Sequence, residues 1–179
     1  MQGLNVRPAI STDISALVAL DHGYSTDHVW QMAKQQESSE IGVVFREVRL
    51  PRPMRVRYPR DPHRLIDDWT YRDGLLVAEL EEEVLGYISL VENPAPASGW
   101  ATDLVVGLRH RRQGVATRLL AAACQWCRER GMNQLFLEMQ SKNIPAIRLA
   151  TKMGSVFSGY SDRYYPNQDI ALFFALGLR

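Results

Sequence analysis

Leu104-Val105-Val106-Gly107-Leu108-Arg109-His110-Arg111-Arg112-Gln113-Gly114-Val115-Ala116 carries an apolar strand through a basic turn into the first turn of a helix. That junction suits an anion. The first turn of a helix offers unpaired N–H groups and the positive end of its dipole. Small residues at 114 and 116 let a bulky phosphate approach the backbone, and Arg111 and Arg112 add charge with bidentate donors. A plainer reading is open at this point: Gly114 and Ala116 only let the helix pack on the strand, and the arginines are solvated.

Working outward, Gly114 to Arg130 places Val115, Leu119, Ala122 and Trp126 on one helical face and Arg118, Gln125 and Glu129 on another, with Gly131 as the stop. Leu135 to Met139 reads as the next strand. Asn143 opens a helix with Pro145 in its first turn, and Met153-Gly154 ends it. Ser155 to Tyr160 and Ile170 to Leu178 are the last strands. Upstream, Leu75–Leu80 and Val84–Val91 form a hairpin about Glu81-Glu82-Glu83, Asn93 to Gly99 is a loop, and Trp100 to Val106 is a strand.

Near the N-terminus, Leu4, Val6 and Arg7-Pro8 read as an edge strand, and Ser11 caps a helix carrying Ile14, Leu17, Val18 and Leu20. A second helix is expected from Tyr24 to Gln36, and a strand through Ile41, Val43, Phe45 and Val48. Residues 46–64 hold Arg46, Arg49, Arg52, Arg55, Arg57, Arg60 and Arg64 among Pro51, Pro53, Pro59 and Pro62, which reads as a basic extension before a short helix at Leu65, Ile66 and Trp69. This order predicts one α+β domain over 1–179, with a mixed, mostly antiparallel central sheet and a strand-helix-strand crossover at its centre.

Composition narrows the function. The chain has 179 residues, 46% of them hydrophobic and 23% charged, and its 21 Lys plus Arg stand against 20 Asp plus Glu. Such a balance argues against a strongly basic nucleic-acid binder. No apolar run reaches the roughly 18 residues of a membrane span and no cationic start precedes an apolar stretch, so a cytoplasmic protein without a membrane partner is expected. Cys124 and Cys127 lie mid-helix, where packing explains them better than zinc or redox chemistry. His22, His28, His63 and His110 show no ligand spacing, and no metal is expected.

The turn at Arg111, Gly114 and Ala116 resembles the strand-to-helix signature of the GNAT superfamily of N-acetyltransferases, Arg or Gln-x-x-Gly-x-Gly or Ala. Asn143 to Gly154 is similar to its second motif. The tail, through Leu137-Glu138-Met139-Gln140, Tyr165-Pro166-Asn167 and Asp169 to Phe174, resembles the streptothricin acetyltransferase-like members. The resemblance implies the acyl-CoA N-acyltransferase fold, with helices on both faces of the sheet, and acetyl-CoA as co-substrate. Its pyrophosphate would lie on the N–H groups of Arg111, Arg112, Gln113, Gly114, Val115, Ala116 and Thr117, and its pantetheine beside Leu104, Val105 and Val106. The Val105 or Val106 N–H would serve the thioester carbonyl, and Asn143 would orient the acyl end or the pantetheine. The strand from 104 to 106 would splay from that at 135–140. Members are often dimers, so the resemblance also implies a homodimer.

An acceptor ammonium, with a pKa of about 10.4, must lose a proton before it attacks. Asp103, at the mouth of the cofactor strand, and Glu138, on its neighbour, are the candidate bases. Either can instead be structural. The family commonly supplies an acid Tyr where this chain has Ala150, and Ser155 replaces a usual Phe. Transfer without an acid, or with Tyr160, Tyr164 or Tyr165 in that role, are the alternatives. The resemblance implies direct transfer to a small, antibiotic-like primary amine. A peptide or protein amine, or a silent CoA-binding module, are the competing readings. If the arginine run borders the cleft, an acidic acceptor is expected.

Overall fold

A computed structural model describes residues 3–93 and 97–178. In chain order the main sheet takes β1 (Asn5–Pro8), β4 (Gly74–Leu80), β5 (Glu83–Asn93), β6 (Ser98–Val106), β7 (Gln134–Gln140), β8 (Val156–Ser161) and β9 (Ala171–Gly177), with β2 (Tyr24–Glu37) and β3 (Glu40–Val56) forming a separate ribbon. The helices are α1 (Ile14–Ala19), α2 (Arg64–Asp68), α3 (Val115–Glu129) and α4 (Ile144–Lys152). The seven-stranded sheet has the order β1-β4-β5-β6-β7-β9-β8, and only β6 and β7 pair in parallel, as the crossover through α3 requires.

Two cores hold the sheet. α3 presents Val115, Leu119, Leu120, Ala123, Cys124, Trp126 and Cys127 to one face, joined by Ile144, Ile147 and Ala150 of α4. Ile14 and Leu17 of α1 and Leu65 of α2 pack on the other, against Val77, Tyr87 and Val105. Helices therefore cover both faces, and the cysteines are core residues. Among the described residues no helix is long and apolar enough to cross a membrane.

The expected helix at Tyr24–Gln36 is strand β2. It pairs with β3 from Tyr24↔Val56 to Glu37↔Glu40. Tyr24 and Thr26 alternate inward with exposed Ser25 and Asp27, and the Trp30 ring packs against Phe45, Phe157 and Phe174. Its backbone N–H also reaches the Ser141 carbonyl at 2.9 Å. These long-range contacts override the weak helical spacing of Val29, Trp30 and Met32. The first eleven residues of the basic run, 46–56, continue β3. Pro51 and Pro53 fall where the register jumps between Thr26↔Met54 and His28↔Arg49, a bulge that spares them a ladder bond.

Ser11 is not a helix cap. It lies in a 3₁₀ turn, Ser11–Asp13, and the capping acceptor is Asp13, whose Oδ2 takes the Ile10 N–H at 2.8 Å while Arg7 grips the carboxylate at 2.7 Å. Leu20 lies past the end of α1 in extended backbone. Of the expected loop at Asn93–Gly99, Asn93 ends β5 and Ser98 begins β6, while residues 94–96 lie outside the described residues.

The strands at the centre are distorted in a specific way. Pairing of β6 with β7 runs from Ser98↔Gln134 to Ala101↔Leu137 and ends there. On the other side of β6 the register to β5 slips between Ser89↔Asp103 and Leu90↔Ala101, so Thr102 is the extra residue of a bulge. From that point β6 follows β5 and leaves β7.

Tight β5–β6 contact is visible at Gly86, where a Cβ would collide with the Val105 carbonyl oxygen and lie 3.1 Å from the Val106 Cα. Gly86→Ala is expected to destabilise the fold by about 1–3 kcal/mol through overpacking against backbone. In chemical denaturation Gly42→Ala is the control, because its Cβ would meet Gln35 atoms at an ordinary 3.7 Å.

Candidate active site

The divergence of β6 and β7 opens two cavities. A small one of about 50 Å³ lies between the splayed strands, bordered by Tyr58, Arg60, Leu104, Glu138, Asn143, Ala150 and Tyr165 among others. A larger one, about 550 Å³, runs from His22 to Tyr24 and Val105–Val106 past Arg111–Thr117 to Pro145–Lys152 of α4. Tyr58, Leu104, Asn143, Ala146 and Leu149 line both.

The open edge of β6 alternates. Residue 107 donates its N–H to the Leu85 carbonyl of β5. Backbone direction alternates with period two, so Val105 faces β5, whereas Leu104 and Val106 face the splay. Of the two residues expected to offer an N–H there, the geometry favours Val106. The carbonyls at both ends of this edge are already taken, Thr102 by Arg60 Nη1 at 2.8 Å and Val106 by Arg111 Nε at 2.9 Å.

At the turn, Gly114 sits at φ +89° as the N-cap of α3, and Arg112 at φ +65°. Nothing lies within 4 Å of where a Gly114 Cβ would be, so the cradle opens into space that a side chain would fill. The Arg111 guanidinium turns away from this cradle, to the carbonyls of Val106 and Asp21. Burial lowers its pKa. It therefore braces the turn, and the cradle at Gly114 is left to backbone groups. Arg148 and Lys152 line the far end of the larger cavity. The Asn143 side chain accepts the Ala146 N–H at 3.2 Å, capping α4.

On the face of the sheet that carries α1 and α2, the structure brings Asp103, Glu138 and Tyr165 together through Arg60 of the arginine run and Tyr164, and through Tyr58 and Arg72, which the sequence alone does not mark. Asp103 accepts from Tyr58, from Arg72 Nη1 at 3.1 Å and from Thr102 Oγ1 at 3.0 Å, with Arg60 at 3.7 Å. Glu138, its side chain 1% exposed, accepts from Arg60 and from the Tyr164 hydroxyl at 2.9 Å. Tyr165 lies under the Arg60 guanidinium, 5.2 Å from ring centroid to Cζ. Burial beside Glu138 pushes the Tyr165 phenol well above its ordinary range. Tyr160 packs instead against Phe45. Glu138 borders the smaller cavity, while Asp103 stands behind Tyr58.

Of the arginine run only Arg60 borders either cavity. Arg55 pairs with Asp21, and Arg46, Arg49, Arg52 and Arg57 are exposed. Arg60 and Arg72 face Asp68, Asp103 and Glu138, three carboxylates to two guanidiniums. The arginine run is thus mostly a solvated face, and its one member at the cleft, Arg60, is paired with Glu138. Among the described residues no group of three or more His, Cys, Asp or Glu is placed to hold a metal.

The sequence model of the acetyltransferase (GNAT) family matches residues 44–155. Streptothricin acetyltransferase of Streptomyces lavendulae is 24% identical over 164 residues, spanning 89% of this chain and 85% of that protein. N-acetyltransferase 8B of Rattus norvegicus is 32% identical over 98 residues, 52% of this chain and 43% of that one. Among solved structures, nourseothricin acetyltransferase superposes with a TM-score of 0.84 at 24% identity, covering 99% of this chain and 100% of that one. A Bacillus anthracis protein assigned as a streptothricin acetyltransferase, solved with acetyl coenzyme A, superposes with a TM-score of 0.75 at 21% identity over 97% and 99% of the two chains.

Arg60 ties both sides of the splay together, so its removal leaves Glu138 buried without its cation and Thr102 without its donor. Arg60→Ala is expected to cost about 3 kcal/mol in urea unfolding, in the range for breaking one partner out of a buried pair. Arg60→Ala with Glu138→Ala should cost less than the sum of the two single changes, which a double-mutant cycle measures.

Proposed function

The chain belongs to the GNAT acetyltransferase family, and we propose that it transfers the acetyl group of acetyl-CoA directly to the primary amine of a small cationic molecule. The observation that carries this reading is the splay of β6 from β7, opening onto the Gly114 cradle at the start of α3. The residues present fit the co-substrate. N–H groups from Arg112 to Thr117 would hold the pyrophosphate, Arg148 and Lys152 add positive charge along the same cavity, and the open edge at Leu104 and Val106 would pair with pantetheine amides. Acetyl-CoA supplies an activated acyl carbon as its thioester.

The Val106 N–H, pointing into the splay, would donate to the developing oxyanion. Asn143 borders both cavities at the end of β7, where it would orient the acyl end. Neither cysteine lines either cavity, and burial pushes the Cys127 thiol up to about 11, so no thiolate is at hand and transfer is direct. Glu138, bordering the smaller cavity with Tyr165, would receive the cationic acceptor. An ammonium there would pair with the Glu138 carboxylate, the one acidic side chain that borders either cavity among the described residues.

Two measurements test this reading. Thiol release across paired amines, polycationic and antibiotic-like, simple diamines, peptide N-termini, and analogues bearing an added carboxylate, should favour the cationic member of each pair by about tenfold at low salt, and less at high salt. Preference for the carboxylated member would overturn the acceptor assignment. Gly114→Leu should fold, melt cooperatively, and lose calorimetric binding of acetyl-CoA; wild-type affinity in that variant would remove the cradle from the site.

Tyr164 and Tyr165 would hold Glu138, while Tyr160 packs on Phe45. Phe substitutions at Tyr160, Tyr164 and Tyr165 should each leave turnover within about tenfold, below the 10²–10⁴ of general acid catalysis. A thousandfold loss in one of them, with acetyl-CoA affinity intact, would identify it as the acid that replaces the Tyr absent at 150.

A further inference from the structure

A row of aromatic side chains on the central strands lies outside both cores. Trp100 of β6, Phe136 of β7 and Phe173 of β9 are half-buried and join neither helix-covered cluster, and Tyr164, between β8 and β9, is 44% exposed. The rings touch in sequence. Trp100 stacks on its cross-strand partner Phe136 at 4.8 Å between centroids and meets Phe173 at 5.1 Å, and Phe173 meets Tyr164 at 5.7 Å. Helices α1 and α2 pack over Val77, Tyr87 and Val105, which leaves the row outside the core they make. A contiguous apolar strip half open to water is costly for a sheet to keep, and such strips mark binding grooves. The Trp100 indole N–H is buried with no acceptor among the described residues, a cost that Phe would avoid, so this position is filled for ring area rather than for a polar contact.

The row runs into the acceptor end of the splay. Phe136 and Glu138 are two apart on β7 and share a face. Phe173 is the register partner of Glu138. Tyr164 joins the two, its hydroxyl donating to Glu138 at 2.9 Å while its ring stands edge-on to Phe173.

We propose that this strip, with Trp100 and Phe173 at its centre, is a specificity subsite that binds an apolar ring carried by the acceptor amine, an inference that rests on the acetyl-transfer reading above. The acceptor class is thereby narrowed to primary amines bearing an aryl or alicyclic ring on a short chain. Directly opposed strand residues stand about 5 Å apart, so about two or three carbons between ring and nitrogen let the ring lie on Phe173 while the ammonium pairs with Glu138. A ring suits the strip better than an open alkyl chain, because it covers aromatic faces and has fewer rotamers to lose. Continuity with Glu138, the carboxylate at the cavity, assigns the strip to the acceptor rather than to a protein partner.

The test is steady-state thiol release by the full chain with saturating acetyl-CoA and phenethylamine, cyclohexylethylamine or ethylamine, which share one charge and one reacting group. In the wild type, kcat/KM for each ring-bearing amine should exceed that for ethylamine by at least about tenfold. Trp100→Ala should bring both ratios to within about threefold of unity while calorimetric affinity for acetyl-CoA stays within about threefold of wild type. If Trp100→Ala does not fold, Phe136→Thr, which suits a strand, takes its place. Ratios near unity in the wild type, or ratios that survive in a folded variant, would overturn the subsite and leave acetyl transfer standing. Loss of self-association in Trp100→Ala by sedimentation, with the ratios kept, would give the strip to a second copy instead. A wild type that acetylates other amines but none of these three would overturn the subsite alone, and one that acetylates no amine at all would overturn the acetyl-transfer reading with it.

Discussion

The parting of two parallel strands is the constraint on which the rest depends. Sheet strands normally satisfy each other's backbone groups, and a buried unpaired amide is costly. Here β6 abandons β7 after Ala101↔Leu137 because the bulge at Thr102 keeps it on β5. Arginines from outside the sheet take the carbonyls at the two ends of the exposed edge. The middle of that edge, around Leu104, is left to face the cavities. The protein leaves one row of its own backbone groups unpaired there and seals the ends.

Sealing with arginine puts cations in the interior, and the surrounding residues are arranged to offset them. Arg60 and Arg72 are partly buried, and their desolvation would lower their pKa values, yet Asp103, Glu138 and Asp68 hold both above the ordinary guanidinium value. A buried pair of this kind is weak evidence for stability in itself. Its effect here is positional. One guanidinium holds Thr102 on β6 and Glu138 on β7 at a set separation, with Tyr165 stacked beneath, so the width of the splay is defined by a rigid planar fork.

The crossover from β6 through α3 to β7 was legible because its signals are local: Gly114 before the helix, Gly131 after it, and Asn143 capping the next. The hairpin at β4 and β5 was legible for the same reason. The β2–β3 ribbon was not. Lys34 to Glu37 has no apolar alternation, and what makes it a strand is a partner supplied by Glu40–Val43 and an anchor at Ser141. Charge runs also hide exceptions. Seven arginines in 46–64 carry one shared compositional signal, and nothing in it distinguishes Arg60, which enters the site, from Arg52, which faces water. Tyr58 is a single residue without periodicity or motif, and its place between Asp103 and both cavities is created only by the fold.

Ala150 is fully buried and borders the small cavity, so a residue there could reach the splay but this one brings no proton. A thiol of pKa about 8.5 is a leaving group that water can protonate, whereas an ammonium of pKa about 10.4 stays protonated unless something takes its proton. Losing the acid is therefore the more tolerable of the two losses.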